Sequence, residues 1–595
     1  MHWTQVVNPL NNIALSAVVA IVPIIFIFWA LIIRKMKGHK AILCATVIAV
    51  FIAFVVYDMP LSLALLSTVH GALYGLFPIC WLIISAIFLF NITVKSGQFE
   101  VIKHFMSSIS ADRRLQALLI AFSFGAFLEG TAGFGAPVAI TAAMLIGLGF
   151  NPLYAAGICL IANTAPVAFG SVGIPITVAS QVSGIPEMAV SQMIGRTLPI
   201  LSLFLPFYLV TLISGFKKSI EVLPAILVSG ISFAFFQWVT SNYLGPMLPD
   251  VIAGIMSMIS LMVLLKFWKP KNVWRFKEEP AATISVKGTY SNGQIVKAWS
   301  PFLILTLVIL TWGLQPVKDT LDSIGLIKFN IPHLHNMIAL SDGGNLLPQT
   351  FKFNYLSTPG TAVLMAAFIS LPLVGLKVNE GVKILFSTIY QLKFPILTIS
   401  AVLGFAYVVN NSGISITIAE ALASTGVLFP FFAPILGWLG VFITGSDTSS
   451  NALFGKLQHA TAVSIGVDPV VTVAANCSGG VAGKMISPQS IAVAAAATGL
   501  IGKESELFRF TVKHSFIMLI LISFIVLAQA YVFRWMIPAY HMLNNKMVTA
   551  SNESSIGYIY LFILLIILVI LTFIIITKNI IKGNKKIILE TDDNI

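Results

Sequence analysis

The chain has 595 residues, of which 57% are hydrophobic and only 10% charged, with a formal net charge of +13 and a mean hydropathy of +0.95. A soluble domain carries roughly 25% charged residues, so this composition excludes a water-exposed globular surface and predicts an all-α, polytopic integral membrane protein. A nucleic-acid partner is excluded as well, because the positive charge is not gathered on a soluble basic face with stacking aromatics.

A bilayer core about 30 Å thick takes about 20 apolar residues per helical crossing. Candidate crossings run from residue 12 to 33, then 41–57, 61–94, 115–149, 153–180, 189–215, 221–238, 248–267, 298–316, 357–375, 385–409, 416–444, 446–500, 514–537 and 557–577. That is about 12 to 15 helices in a single membrane transport domain spanning 1–595, with 557–577 as an extra C-terminal helix. The first run has its basic flank after it, at Arg34 to Lys40, whereas a signal peptide carries positive charge ahead of its apolar core. It reads as a retained helix with the N-terminus outside. Most of the Lys and Arg residues cluster beside apolar runs, and such loops belong in the cytoplasm. This places a linker at 269–297 and the C-terminus inside, and the loop at 318–355, with mixed charge, outside. Cys44, Cys80, Cys159 and Cys477 lie in apolar runs without a CxxC pair and read as buried packing residues, not a disulfide or metal framework.

Within this order there is an internal repeat. Asn163, Gly170 and Pro175 recur as Asn476, Gly483 and Pro488, each shifted by 313 positions. A Phe-x-x-Gly turn precedes each set, Phe127 to Gly130 and Phe442 to Gly445; Pro152 and Pro469 come between turn and Asn, and about four residues of spacing differ between that Pro and the Asn. Repeat cores at 113–192 and 410–503 follow. The first begins at Arg113 and Arg114 and ends without Lys or Arg; the second begins without them and ends at Lys503. Opposite charge polarity predicts two inverted repeats with broken or re-entrant helices, the architecture of secondary transporters, whose substrate site lies where the breaks meet.

Two segments cannot be comfortable helix interiors. Gly130 to Pro137 contains Gly133, Gly135 and Pro137, and each Gly costs up to about 1 kcal/mol and Pro about 3 in a helix. Gly445 to Asn451 sets six polar residues in succession where lipid would demand apolar ones. Non-helical backbone at membrane depth survives only where protein or trapped water satisfies it; close packing through small residues is the competing explanation. Ionisable residues inside these elements cost roughly 2.5–3.5 kcal/mol on insertion scales, so each needs a partner or a task. They are Glu129, Arg196, Glu420, Asp447, Lys456 and Lys484. Glu129 and Asp447 flank the breaks and are the candidate proton-coupling residues. Lys484 stands where the first repeat has Ser171, and it reads either as a receptor for an anionic substrate or as the ion-pair partner of Asp447. Gly133, Gly135, Asn163, Ser446, Thr448, Ser449, Ser450, Asn451 and Asn476 complete the candidate substrate site. Arg196, Glu420 and Lys456 read as lying near membrane interfaces, and His70 and His459 as packing or hydrogen-bonding residues.

No GxxxxGK[ST] loop, HExxH helix or marked nucleophile with its base occurs, so an ATP-driven pump, a membrane metalloprotease and a hydrolase are unsupported. No cofactor is implied, and the chain reads as a transporter and not an enzyme.

The stretches Phe127 to Pro137, Thr444 to Phe454 and Gly483 to Ile491 closely resemble the bacterial L-lactate permease family, and the likeness extends loosely over nearly the whole length. The resemblance implies a proton-coupled symporter of L-lactate, D-lactate or glycolate in the bacterial cytoplasmic membrane, whose partners are a small monocarboxylate, protons and the bilayer. A Na⁺-coupled carrier of another small organic anion is the alternative, ahead of a channel.

Overall fold

The computed structural model describes residues 2–30, 34, 36–133, 135–276, 290–340, 346–501, 503–541 and 547–548. The anticipated C-terminal helix at 557–577 and residues 277–289 of the 269–297 linker lie outside the described residues.

Among the described residues, nine helices are long and apolar enough to cross a membrane, or ten if one bent pair counts as a single span. The chain is therefore a multi-pass helical membrane protein. Fewer full-length spans occur among the described residues than the 12 to 15 anticipated for the chain, and several of the apolar runs are divided. Ile13–Ile27, Ala136–Gly147, Pro359–Val374 and Ile414–Ala423 are short apolar helices, and Pro152–Ala162 meets Val167–Ser183 at 65°. The run anticipated at 385–409 is two elements, an amphipathic helix Val378–Gln391 and a spanning helix Lys393–Asn411. Phe386, Ile389 and Tyr390 are exposed on the first of these, as suits a helix lying in the membrane interface. Short strands organise the 318–355 region, where Leu326–Asn330 pairs antiparallel with Thr350–Asn354 and Trp3–Thr4 joins Ile338–Ala339. From this region Gln349 reaches into the bundle, where its Oε1 accepts from His70 Nδ1 at 2.7 Å and its Nε2 donates to Asn411 Oδ1 at 3.3 Å.

Two stretches repeat one order of elements. In the first, helical turns run on from Arg113 to Thr131, the backbone breaks, and Ala136–Gly147 follows; Pro152–Ala162 then leads through a second break to a helix ending at Ser183, and Glu187–Ser214 closes the unit with 28 residues. In the second, Phe429–Thr444 breaks into Asp447–Ser464, Pro469–Lys484 breaks into Pro488–Thr498, and Glu504–Tyr531 closes it, again with 28 residues. Packing between the units is reciprocal. Gly170–Ser183 lies against Asp447–Ser464, and Pro488–Thr498 lies against Ala136–Gly147. In each pair the last half-helix of one unit meets the second half-helix of the other. The four-residue spacing difference lies before the Asn, and the two Asn sit differently: Asn163 caps the end of Pro152–Ala162, whereas Asn476 is inside Pro469–Lys484.

The breaks follow from their residues. Gly133 (φ 58°), Gly135 (φ 86°) and Gly445 (φ 71°) occupy the left-handed region, which glycine enters without a Cβ penalty. Ser171 (φ 47°) and Val172 (φ 60°) occupy it as well, at a cost of about 1–3 kcal/mol each, so buried packing must hold that break open. Elsewhere glycine permits backbone contact. Helix Phe429–Thr444 touches Pro469–Lys484 so closely that a Cβ on Gly437, Gly479 or Gly483 would strike a carbonyl oxygen of the facing helix.

Apolar side chains gather into two clusters. One takes its residues from both units; the other is built by Gly38–Val55, Leu61–Tyr74, Trp81–Lys95, Pro359–Val374 and Lys393–Asn411. Val172, Ile174 and Val178 of the first unit and Ile443, Leu453 and Phe454 of the second belong to this other cluster, so the broken helices form the seam. Cys80, Cys159 and Cys477 are buried, but Cys44 is exposed, correcting the expectation for it: it lies on the outward face of Gly38–Val55, beside exposed Leu43 and Val47.

Candidate functional site

A cavity of about 390 Å³ lies at this seam. The break after Thr444 supplies Gly445 to Ser449, helix Pro469–Lys484 supplies its last residue, and the first unit supplies Glu129, Gly170 and Ser171. The opposite wall is Gly38, His39, Phe394, Pro395, Thr398 and Ile399, with His39 and Phe394 stacked at 4.9 Å between ring centroids.

The local fold explains each contribution. Ser446 caps helix Asp447–Ser464 by accepting the Ser449 N–H at 3.3 Å, so the stretch read as a long polar break is a two-residue break followed by a first helical turn. That turn presents the positive end of a helix dipole, and Asp447 stands on it. Lys484 ends its helix at the cavity, and its Nζ donates to the Gly445 carbonyl at 2.7 Å. No direct ion pair between Lys484 and Asp447 forms, although Glu129 and Asp447 both act electrostatically on the ammonium. Neither Asp447 oxygen has a hydrogen-bond partner among the described residues. Asn451 and Cys477 lie close by, but the Asn451 amide is engaged with Cys477 Sγ at 2.7 Å and the Pro175 carbonyl at 3.2 Å. The Asp447 carboxyl packs instead on the bare Cα of Gly480. Glu129 is 4% exposed and accepts from Asn163 Nδ2 at 3.0 Å. A Cβ on Gly170 would come within 2.8 Å of its Oε1. Each acid is thus held against a glycine.

The structure brings Glu129, Ser446, Asp447, Thr448, Ser449 and Lys484 to one cavity. Asn163 stands behind it, on Glu129. Ser450, Asn451 and Asn476 form a layer beneath: Ser450 donates to the Gly437 carbonyl at 3.0 Å, and Asn476 Nδ2 donates to Asn451 Oδ1 at 2.8 Å. Gly133 packs behind the lining residue Ser171 and Gly135 on Val493, and neither lines the cavity itself. Of the remaining ionisable groups, Glu420 is exposed and Arg196 is held by Asn242 Oδ1 and the Met536 carbonyl, each at 2.8 Å. Sequence reasoning missed Gln489, whose side chain lies over Gly445, and the whole 38–39 and 394–399 wall. It also missed Asp250, buried next to Gly130. Its signal was an acid one residue inside an apolar helix, after Pro249.

Chemically, the cavity joins one buried ammonium, a helix N-terminus and several hydroxyls. That set suits a small anion bearing a carboxylate and a hydroxyl group. Two buried carboxyls share the cavity with one buried lysine, and Asp250 adds a third buried acid that interacts with Glu129. Unpaired buried charge costs several kcal/mol per ion, so these acids cannot all be ionised together.

A family model described as L-lactate permease matches residues 16–533. The L-lactate permease of Bacillus subtilis (strain 168) is 55% identical over 564 residues, covering 90% of this chain and 100% of that one. The glycolate permease GlcA of Escherichia coli (strain K12) is 51% identical over 90% of this chain and 99% of its own length. The L-lactate permease of the same strain is 48% identical, with 90% and 100% covered. Among solved structures, MtrF of Neisseria gonorrhoeae, from a class of antimetabolite efflux pumps, aligns with a TM-score of 0.40 and 13% identity over 78% of this chain and 83% of that one.

Proposed function

Because the chain belongs to the L-lactate permease family, we propose that it is a proton-coupled symporter of L-lactate and related 2-hydroxy monocarboxylates such as D-lactate and glycolate, working in the bacterial cytoplasmic membrane. The observation that carries this reading is that Lys484, Glu129 and Asp447 line one cavity together with residues of two helix breaks. A carboxylic acid with a pKa near 4 is an anion at neutral pH. Drawing one negative charge into a cell with an inside-negative potential costs about 2.3 kcal/mol per 100 mV, and a co-transported proton removes that cost. The cavity supplies a reason for the coupling. An anion bound at Lys484 takes the ammonium away from the two acids, so its binding favours a proton on one of them. Lys484 receives the carboxylate, and Ser446, Thr448 and Ser449 offer hydroxyls to the substrate.

Purified protein in liposomes, with pH gradient, Na⁺ gradient and voltage imposed separately, tests the reading. Labelled lactate is expected to accumulate under an inwardly directed proton gradient alone and to show counterflow. Accumulation that follows a Na⁺ gradient instead would establish the alternative coupling.

Orientation is tested independently. The reading places the N-terminus outside, residues near 271 and 292 in the cytoplasm and the loop containing Lys328 outside, with the two units inverted. In a Cys44→Ser background, Lys328→Cys is expected to react with an impermeant maleimide on intact cells, and Asn292→Cys only after the membrane is opened. Reaction of both from one side rejects the orientation and the inversion together.

A further inference from the structure

Glu129 has a second buried acid at its back. Asp250 is 1% exposed and sits in the first turn of Pro249–Phe267. A Cβ on Gly130 would come within 2.8 Å of Asp250 Cβ, so the residue next to Glu129 lies in direct contact with Asp250. The two carboxyls interact electrostatically. Asp250 Oδ1 accepts from Gln237 Nε2 at 3.5 Å, and Oδ2 has no hydrogen-bond partner among the described residues. Gln237 is itself fixed, accepting from Ser202 Oγ at 3.0 Å and donating to the Ala165 carbonyl at 3.1 Å.

No cation among the described residues compensates Asp250. Leu223–Tyr243 contains no charged residue, and on Pro249–Phe267 the other charge is Lys266 at the far end. The helix running from Arg113 to Thr131 brings only Glu129 to this end, Arg196 of Glu187–Ser214 is engaged with Asn242 and Met536, and Lys484 acts on Glu129 from the cavity side. Two buried acids on adjoining elements disfavour each other's ionised form.

Position gives the pair a direction. The turn at 244–248 joins two helices; at their other ends Lys217 and Lys218 precede the first and Lys266 ends the second, and the turn packs on the break at Gly173. The cavity, by contrast, reaches Gly38 and His39 beside the basic run 34–40. Asp250 and the cavity mouth thus lie on opposite sides of Glu129.

Resting on the proton-coupled reading, we infer that Asp250 and Glu129 share the transported proton: Asp250 takes it on the side away from the cavity and passes it to Glu129. The O–H bond of the Asp250 carboxyl breaks as one forms on a Glu129 oxygen. The pair keeps a single negative charge throughout, and no other bond changes. Chains of buried acids serve as proton relays in membrane carriers.

The test uses purified full-length protein in liposomes, with labelled lactate and a pH-sensitive dye inside. Asp250→Asn is expected to lose about 100-fold in proton-driven lactate uptake, the scale of a lost proton-transfer group, while lactate exchange at equal pH stays within about threefold of wild type, because the substrate site is intact. Asp250→Glu is expected to keep coupling with a shifted pH profile. If wild type moves lactate without acidifying the lumen, the proton-coupled reading itself fails. If wild type couples and Asp250→Asn couples equally, only the inference about Asp250 fails. Should Asp250→Asn not yield monodisperse protein, Asp250→Glu decides alone: an unshifted pH profile overturns the proposal.

Discussion

Lys484→Ala is expected to insert and purify as a monodisperse protein and to bind lactate about 100-fold more weakly, or about 3 kcal/mol, the lower range for removing one partner of a buried charge pair. Lys484 Nζ is anchored to the Gly445 carbonyl and not to a carboxylate, so the ammonium keeps its charge available to a ligand. Lysine suits this task, being a compact point charge on a flexible stem. A purely structural role predicts a different pattern. In that case Lys484→Ala destabilises the protein by leaving Asp447 buried without a nearby cation, and adding Asp447→Asn restores both fold and affinity. In the receptor role the double variant folds but does not regain affinity. Calorimetry or tryptophan quenching on purified variants separates these outcomes, and near-normal affinity in Lys484→Ala removes Lys484 from the site.

The second large effect is on coupling. Glu129→Gln keeps an oxygen for the Asn163 amide that Glu129 now accepts from, so the cavity shape is expected to survive. Asp447→Asn replaces a carboxyl that has no hydrogen-bond partner among the described residues. At least one of the two variants is expected to lose proton-driven accumulation by about 100-fold while retaining exchange of labelled lactate. Accumulation in both variants at the wild-type level would show that neither acid carries the proton.

How much of this was legible in the sequence depended on how foreign each residue is to lipid. Gly445 to Asn451 stood out because six successive polar residues have no place on a membrane helix, and the structure puts five of the seven residues from 445 to 451 on the cavity. Lys484 stood out through the repeat, and its counterpart Ser171 lines the same cavity. The length of the polar stretch misled in one respect: Ser446 caps a helix, so most of it is helical. Asp250 was invisible for a physical reason. An acid just after a proline at the start of an apolar helix reads as an interfacial residue in the first turn, and only tertiary packing against Gly130 buries it. The far wall was invisible too, since Gly38, His39 and Phe394 to Ile399 resemble any loop-to-helix junction beside a basic cluster. Their role comes from which helix ends the fold sets facing one another.

The contact between Phe429–Thr444 and Pro469–Lys484 has a mechanical consequence. Side chains between two helices act as a compliant layer, since rotamers can change and let the helices shift. Here glycine Cα atoms rest on carbonyl oxygens with nothing in between, and protein interiors resist compression. Lys484 and the Gly445 turn are therefore borne on a stiff support, and their separation cannot be tuned by small side-chain adjustments. The compliance lies across the cavity, where the stacked rings of His39 and Phe394 and the side chains of Pro395 and Ile399 face it from the other apolar cluster. The proposed carrier is then expected to keep Lys484 at constant geometry through its cycle and to open or close by displacing the softer wall.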